Sequence, residues 1–221
     1  MASNYLRCIE AMSKTQAISS DKGMKPTAIY CPDTLLECFS FDDSETNPTP
    51  YPWSFRIRSV VWPRSSRYPM TVTMRLSQWF DVRSRTHRGV IRRLSWKISA
   101  WLRQRNLTLF SFEHGAYPMI EAGIIFHHTG VCITSDTVIE SGVHIYRNVT
   151  FGIKNGHSPV IKKGAKIASH SIVIGATVIG ERAIVAPGAA VVDLVVPDGK
   201  IAAGVPARIV GDVTDNNYYA F

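Results

Sequence analysis

Apolar residues recur at every sixth position through most of the C-terminal half of this chain, and no other feature of the sequence restricts its fold as strongly. The recurring residues are Ile120, Phe126, Ile133, Ile139, Ile145, Phe151, Ile161, Ile167, Val173, Ile179, Val185 and Val191. Small residues follow members of the later series at a spacing of four: Ala165, Ser171, Thr177, Ala183 and Ala189. A six-residue period fits neither an α-helix nor simple strand alternation. It predicts a mainly β fold, a parallel β-helix in which each hexad forms one side of a triangular coil.

The six-residue rhythm is interrupted twice. Phe126 and Ile133 are seven residues apart, and Phe151 and Ile161 are ten residues apart. Both interruptions contain histidine, as His127-His128 in the first and as His157 in the second. Because insertions in repeat folds collect on functional faces, these two segments are the first candidates for a site.

The N-terminal half differs in composition and predicts a different structure. Between Arg56 and Arg105 there are 13 basic residues and one acidic residue, Asp81, whereas residues 111–221 carry a net charge of −1. Helices are predicted from Met70 to about Arg83 and from about Arg88 to Arg103. The second helix has an apolar stripe that we expect to pack against a neighbouring element, formed by Val90, Ile91, Leu94, Ile98, Trp101 and Leu102.

These patterns predict four regions. Residues 1–55 are expected to be irregular or to form short helices, ending in a proline-rich linker, and residues 56–110 form a basic α-helical segment. Residues 111–211 form the β-helix, and residues 212–221 form a C-terminal tail. No stretch approaches 18 uninterrupted apolar residues, and the N-terminus does not have the pattern of a secretory signal, so the expected location is the cytoplasm.

The basic segment has three interpretations. It forms a solvated helix face, it contacts the inner face of the membrane or another acidic polymer through cations interleaved with tryptophans, or it binds nucleic acid. No nucleic-acid-binding motif accompanies the charge, so nucleic acid is not expected as a partner, and a peripheral membrane contact of residues 56–105 is kept as a hypothesis.

Three segments within residues 113–211 carry a resemblance to a known family: Ile120-Glu-Ala-Gly-Ile-Ile-Phe-His-His-Thr-Gly-Val, Val149-Thr-Phe-Gly and Ile201-Ala-Ala-Gly-Val-Pro-Ala-Arg-Ile-Val-Gly. They resemble the hexapeptide-repeat acyltransferases, which have a left-handed β-helix. The likeness is to the serine acetyltransferases and to their relatives that acetylate surface polysaccharides. The resemblance implies a left-handed parallel β-helix that is preceded by an α-helical region.

The resemblance also implies catalytic residues. In this family a histidine after an early strand is the general base that deprotonates the acceptor hydroxyl, for which the ordinary imidazole pKa is suited. Counting forward from Ile120 places this histidine at His128, and counting backward from Ile133 places it at His127. The forward count is preferred because it also places the family's orienting acid at Glu113. In the second interruption, His157 and Asn155 are candidates for binding the acceptor.

Acetyl-CoA is the co-substrate that the resemblance implies, bound in a groove between the subunits of a homotrimer. The matching positions are Ala168, Ser169, Gly188, Ala203, Gly204 and Arg208. Small residues permit close approach of the pantetheine arm, and Arg208 supplies a charge for phosphate. No metal is expected, because no two histidines have the spacing found in the metal-dependent hydratases of the same fold.

Departures from the serine acetyltransferase pattern determine which acceptor molecule we predict. That family has an aspartate where His127 or Phe126 stands here, a Gly-Gly loop before its second histidine, and a C-terminal tail unlike Tyr-Tyr-Ala-Phe221. We therefore expect an acetyl-CoA-dependent O-acetyltransferase that acts on a hydroxyl of a sugar in a surface polysaccharide or its precursor. The alternatives are a serine O-acetyltransferase of cysteine biosynthesis and a non-catalytic trimeric β-helix scaffold.

Overall fold

The computed structural model describes residues 67–115 and 119–219, so the predictions for residues 1–55 and for 56–66 lie outside the described residues. These described residues contain three helices, α1 (Arg67–Thr86), α2 (Gly89–Phe110) and α3 (Asp215–Tyr219). The first eight strands are β1 (Glu113–His114), β2 (Met119–Ile120), β3 (Ile125–Phe126), β4 (Cys132–Ile133), β5 (Val138–Ile139), β6 (His144–Ile145), β7 (Thr150–Gly152) and β8 (Val160–Ile161). The later strands are β9 (Lys166–Ile167), β10 (Ile172–Ile174), β11 (Val178–Ile179), β12 (Ile184–Val185), β13 (Ala190–Val192), β14 (Val195–Val196), β15 (Lys200–Ala203) and β16 (Arg208–Asp212).

The strands form three parallel sheets, and every third strand in the chain lies in the same sheet. The first sheet has the order β1-β4-β7-β10-β13, the second β2-β5-β8-β11-β14 and the third β3-β6-β9-β12-β15, to which β16 adds in antiparallel orientation. The chain therefore winds through about five triangular coils. This confirms the predicted mainly β solenoid preceded by helices.

The apolar residues that recur at every sixth position in the sequence are the residues that form the core of the β-helix. The second residue of nearly every two-residue strand points into the prism and is fully buried, as Ile133, Ile145 and Val185 illustrate. The small residues of the later hexads are all inaccessible to solvent as well: Ala165, Ser171, Thr177, Ala183 and Ala189. Inward side chains stack from coil to coil, as Ile133 does on Phe151. Small corner residues leave room for this stack.

Both predicted helices are present, but the buried face of α2 is not the predicted one. The residues that α2 buries are Ser95, Ser99, Leu102, Asn106 and Phe110. Leu102 is the one member of the predicted apolar stripe among them, and Val90, Leu94 and Trp101 are exposed. The expectation that this stripe packs against a neighbouring element is therefore wrong for these residues.

Polar contacts hold α2 against α1. Asp81 on α1 is buried, and its carboxylate accepts hydrogen bonds from Ser99 Oγ and from Arg103 Nη1, each at 2.6 Å. Burial raises the pKa of Asp81, whereas the hydrogen bonds from Ser99 and Arg103 lower it. Closer to the start of α1, the side chain of Thr73 contacts that of Asn106 on α2. Small and hydrogen-bonded side chains thus bring the two helices together where large apolar ones were expected.

The helices attach to the first coil through α1. Arg75 is fully buried, and its guanidinium donates to the carbonyl oxygens of Ile120 at 2.7 Å and Glu121 at 2.6 Å. His114 occupies an inward position of β1, with its Nε2 3.1 Å from Ser77 Oγ. Burial lowers the pKa of His114 to about 4, although a hydrogen bond to the Gly115 carbonyl acts in the opposite direction. The first inward residue is therefore a neutral histidine that contacts α1.

The C-terminal residues fold back onto the third sheet. Lys166 donates a hydrogen bond to the carbonyl oxygen of Tyr218 on α3, and its ammonium lies 4.1 Å from the centre of the Tyr218 ring. The Tyr218 hydroxyl donates to the carbonyl oxygen of Gly164 at 2.8 Å. Of the helices within residues 67–115 and 119–219, none combines the length and the apolarity that crossing a bilayer requires.

The small corner positions are tested by Ala183→Leu. Because Ala183 is fully buried against stacked neighbours, the added atoms should overpack the prism and lower the free energy of unfolding by about 1–3 kcal/mol. Urea denaturation provides the measurement. Ala176→Leu is the matched control, since Ala176 is exposed at another corner of the same coil and the change should be within about 0.5 kcal/mol. Equal effects of the two substitutions would contradict the packing argument.

The neutral state of His114 predicts a pH dependence of stability. Histidine in the unfolded chain takes up a proton near pH 6.5, whereas folded His114 does so only near pH 4. As the pH falls through this window the unfolded state binds more protons, so the free energy of unfolding decreases, by up to about 3 kcal/mol. In His114→Leu this part of the decrease should disappear, as measured by urea denaturation between pH 7 and pH 4.

The same substitution at an exposed histidine, His157→Leu, is the control and should retain the full decrease. Ser77 keeps a partner in His114→Leu, because its hydroxyl can then donate to the carbonyl oxygen of Met74, which lies 2.7 Å away. An unchanged pH dependence in His114→Leu would show that His114 is not the group responsible.

Candidate active site

The first interruption of the rhythm forms the corner between β3 and β4. Phe126 ends β3 and is buried in the prism, and His127 and His128 follow it directly. His127 is half-buried, whereas His128 is exposed and has no hydrogen bond within the described part of the chain. The corner therefore presents two histidines in different environments.

His127 belongs to a stack of rings on the outer surface of the third sheet. Phe126 pairs with Ile145, so the next residues along both strands, His127 and Tyr146, lie one above the other. Their ring centres are 4.2 Å apart with an angle of 8° between the planes. His127 Nε2 also lies 3.0 Å from His144 Nδ1, within hydrogen-bonding distance. His127 is thus held by two neighbours from the following coil.

His144 is the neutral member of the histidine pair. Burial lowers its pKa to about 4, and the positive charges of Lys166 and His127 lower it further. Lys166 is directly beside it, because His144 pairs with Lys166 in the next strand of the sheet. A neutral His144 with its proton on Nε2 accepts a hydrogen bond at Nδ1, and this arrangement places the donated proton on His127 Nε2.

From its outward position in a regular hexad His144 is predicted to be a surface residue, and Tyr146 is not among the predicted site residues. The structure corrects the assignment of His144, which is half-buried and bonded to His127. A signal was present in the spacing. A regular coil has 18 residues, and the seven-residue step after Phe126 lengthens this coil to 19, which places Tyr146 over His127.

Glu113 lies on the outer face of β1, at the start of the first sheet. It pairs with Cys132, the first residue of β4, and the Cys132 thiol is 3.9 Å from Glu113 Oε2. Burial raises the pKa of the Cys132 thiol, and the negative charge of Glu113 raises it further. The His127-His128 corner leads directly into Cys132, so Glu113 lies one coil below the end of that corner. No hydrogen bond between Glu113 and His128 is present among the described residues.

The second interruption is a small hairpin with His157 and Asn155. Lys154 and His157 exchange two backbone hydrogen bonds of 3.0 and 2.9 Å, and Asn155 and Gly156 between them both have positive φ. This is the geometry of a tight two-residue turn, for which Asn-Gly is the preferred sequence. Lys154 anchors the hairpin through an ion pair of 2.5 Å with Asp193. The side chain of His157 is exposed.

The six predicted cofactor-binding residues lie on the third sheet or at its corners. Ala168 and Ser169 follow β9, Gly188 precedes β13, Ala203 ends β15, Gly204 follows it, and Arg208 begins β16. At Gly188 φ is +70°, and an added Cβ would meet no atom within 4 Å, so its surface is open. Arg208 is exposed. The structure therefore brings these residues to the same part of the solenoid, two coils or more beyond the histidine corner.

A metal site is not indicated by the described residues. Residues 67–115 and 119–219 contain no group of three histidine, cysteine or acidic side chains that could hold an ion.

Comparisons with known sequences identify relatives among serine acetyltransferases. The chain is 36% identical over 124 residues to a Schizosaccharomyces pombe protein that is provisionally named a serine acetyltransferase, covering 53% of this chain and 45% of that protein. It is 31% identical over 133 residues to the serine acetyltransferase of Buchnera aphidicola, covering 57% of this chain and 50% of the relative. For the Escherichia coli serine acetyltransferase the identity is 32% over 134 residues, with coverages of 53% and 49%. The chain thus spans about half the length of the curated relatives that it matches.

Solved structures give the same result for the fold. A serine acetyltransferase in complex with CoA matches with a TM-score of 0.64 and 24% identity, covering 80% of this chain and 70% of that structure. The Vibrio cholerae serine acetyltransferase matches with a TM-score of 0.65 and 22% identity, covering 82% and 67%. None of the known protein-family models matches the chain. The chain therefore has the hexapeptide-repeat left-handed β-helix fold, and serine acetyltransferases are its homologues.

Proposed function

We propose that this chain is an acetyl-CoA-dependent serine O-acetyltransferase. The observation that carries the proposal is the histidine pair at the β3–β4 corner, in a chain whose fold and sequence relatives are serine acetyltransferases. An imidazole at this corner would take the proton of the serine hydroxyl as its oxygen attacks the acetyl carbonyl of the thioester. A C–O bond forms, the C–S bond breaks, and the proton passes to the departing thiolate of CoA.

The prediction of a saccharide acceptor is wrong. It was based on three departures from the serine acetyltransferase pattern: the missing aspartate at His127 or Phe126, the replaced Gly-Gly loop and the different C-terminal tail. The relatives that overturn it are the serine acetyltransferases of Buchnera aphidicola and Escherichia coli, together with the Schizosaccharomyces pombe protein that is provisionally named one. The departures are therefore better interpreted as variation among proteins that share serine as acceptor.

His128 is the proposed general base. A base needs a ring nitrogen that is free to accept a proton and accessible to substrate. His128 is exposed and without a hydrogen bond among the described residues, whereas His127 Nε2 is engaged by His144 and the ring of His127 is covered by Tyr146. We therefore assign His127 the role of a positioning residue that fixes the corner on which His128 stands.

Glu113 is the proposed orienting acid of His128. The support is its place on the outer face of β1, one coil below the residue in which the histidine corner ends. A carboxylate in that place can stabilise the imidazolium that forms during proton transfer. In the second interruption, His157 is the proposed contact for the acceptor, because its exposed side chain stands on a hairpin anchored by the Lys154–Asp193 pair. Asn155 has positive φ in the turn, so its part is to shape the hairpin beside the acceptor.

Acetyl-CoA is proposed to bind along the late coils of a homotrimer. Ala168, Ser169, Gly188, Ala203 and Gly204 would allow its pantetheine arm to approach the backbone, and Arg208 would meet a phosphate. Exposed apolar side chains on the outer faces of the same coils support burial against a second subunit: Ile172, Val192, Val195, Val205, Ile209 and Val210. A cytoplasmic location is part of the proposal, since free serine and acetyl-CoA are cytoplasmic metabolites.

The proposed acceptor is tested by thiol release. The full chain should release CoA thiol from acetyl-CoA when L-serine is added, and not when L-alanine is added, because alanine has no hydroxyl to attack the thioester. Continuous detection of the free thiol, with product identification by mass spectrometry, provides the measurement. Binding of acetyl-CoA without any serine-dependent release would refute serine as acceptor, and failure to bind acetyl-CoA would favour a non-catalytic scaffold.

The proposed base is tested by a pair of neighbouring substitutions. His128→Ala should lower kcat by about 10²–10⁴-fold, because the hydroxyl proton then has no acceptor in the transition state. His127→Ala is the matched control and should cause a smaller decrease, since it removes only the support of the corner. Both variants should sediment as trimers, like the unmodified chain. A large loss in His127→Ala together with a small one in His128→Ala would exchange the two assignments.

A further inference from the structure

The helix α2 has its large apolar side chains on the solvent side. The buried positions Ser95, Ser99, Leu102 and Asn106 follow the spacing i, i+4, i+7, i+11 and form its inner face against α1. Val90, Leu94, Lys97 and Trp101 follow the same spacing on the opposite side. Together with Arg93 these four residues form what we call the outer face of α2.

The exposure of this face is extensive. The exposed fractions are 79% for Val90, 56% for Leu94 and 60% for Trp101, and a second tryptophan at the flank, Trp96, is 57% exposed. Single exposed apolar residues are ordinary on protein surfaces, but several on consecutive turns of one helix indicate an interaction surface. From Val90 to Trp101 the surface extends about 17 Å along the helix axis.

All the charges of α2 are positive. Its charged residues are Arg92, Arg93, Lys97, Arg103 and Arg105, and no aspartate or glutamate occurs between Gly89 and Phe110. Arg103 is paired with Asp81 on the inner side. Arg93 and Lys97 are exposed and have no salt bridge among the described residues. The outer face therefore interleaves apolar side chains with uncompensated positive charge.

This combination selects the chemistry of the partner. A second copy of α2 would bring Arg93 and Lys97 against the same positive charges, which is unfavourable. Nucleic acid would suit the charge, but it offers no apolar layer for Val90 and Leu94. An anionic lipid surface supplies both, because phosphate and carboxylate headgroups lie directly above acyl chains, and tryptophan is favoured at that boundary.

We propose that the outer face of α2 binds peripherally to an anionic lipid surface, with the helix parallel to the membrane plane. Val90, Leu94 and Trp101 enter the boundary between headgroups and acyl chains, and Arg93 and Lys97 contact the lipid phosphates. The inner face remains packed against α1, so binding requires no unfolding. The inference rests on α2 alone and is independent of the acceptor and of the catalytic residues.

Vesicle sedimentation tests the proposal with the full chain. The protein is mixed with vesicles of phosphatidylcholine, either pure or with about 30 mol% phosphatidylserine, and the bound fraction is measured after centrifugation. Binding to the anionic vesicles and not to the neutral ones is expected, and it should weaken when the salt concentration is raised to about 0.5 M. Because residues 56–67 also contain arginines, the decisive comparison is between variants of the full chain.

Two pairs of substitutions remove the same charge from different surfaces. Arg93→Gln with Lys97→Gln should lower the partition coefficient by about 25-fold, since each basic residue near an anionic surface contributes about fivefold. The matched control is Arg147→Gln with Lys163→Gln, two exposed residues at corners of the β-helix, and it should change binding by less than about twofold. Trp101→Ala should lower binding about tenfold by removing the largest inserted side chain.

Three results would overturn the proposal. The first is absence of binding to the anionic vesicles, and the second is equal binding to both vesicle types. The third is an equal effect of the two Gln pairs, which would show that total charge and not the outer face is responsible. A change of oligomeric state in Arg93→Gln with Lys97→Gln, measured by sedimentation without lipid, would instead assign the outer face to an interface between copies of the chain.

Discussion

The vertical stacking of inward side chains is the constraint on which the β-helix depends. Ile133 lies under Phe151 and Ile139 under Ile161, so each coil repeats the register of the one before it. An extra residue within a strand would move an inward side chain to the outer face and disrupt every coil above it. Extra residues are therefore tolerated only at corners, where they project outward. This is why the seven-residue step produces the histidine corner and the ten-residue step produces the hairpin of His157. The packing of the prism therefore determines at which positions the chain can carry functional side chains.

The open end of the prism imposes a second requirement, which α1 meets. Within residues 67–115 and 119–219 no coil lies beneath the first one, and the carbonyl groups of Ile120 and Glu121 are partnered by the buried guanidinium of Arg75. His114 at an inward position has the same origin, because at the end of the stack it contacts Ser77 of α1 in place of another coil. Burial keeps this imidazole neutral. The residue before it, Glu113, is thereby fixed at the start of the first sheet. The contact between α1 and the first coil therefore also determines the position of the proposed orienting acid.

The parts of the structure that could be predicted are those that follow the six-residue period of the sequence. Hexads can be counted along the chain, so the sheets, the inward residues and the interrupted corners all follow from the sequence. The partners of His127 were missed because they belong to another coil: Tyr146 lies over it only when the 19-residue coil is allowed for, and His144 reaches it diagonally. The acceptor was predicted wrongly for a different reason. A change of side chain at position 126 or 127 alters the site, but it does not by itself identify the molecule that the site binds.

The apolar stripe of α2 did not predict which face of the helix is buried, because hydrogen bonds to α1 determine its orientation. Rotating α2 to bury Val90, Leu94 and Trp101 would remove Ser99 and Arg103 from Asp81, leaving a buried carboxylate without its partners. An uncompensated buried charge costs several kcal/mol, and the unpaired Asn106 and Thr73 would add to that cost. Small residues on the inner face also let the helices approach more closely than leucine or tryptophan would permit. The apolar stripe of α2 is therefore exposed because the polar interface between α1 and α2 specifies one orientation of the helix. In this orientation the stripe remains accessible to a binding partner.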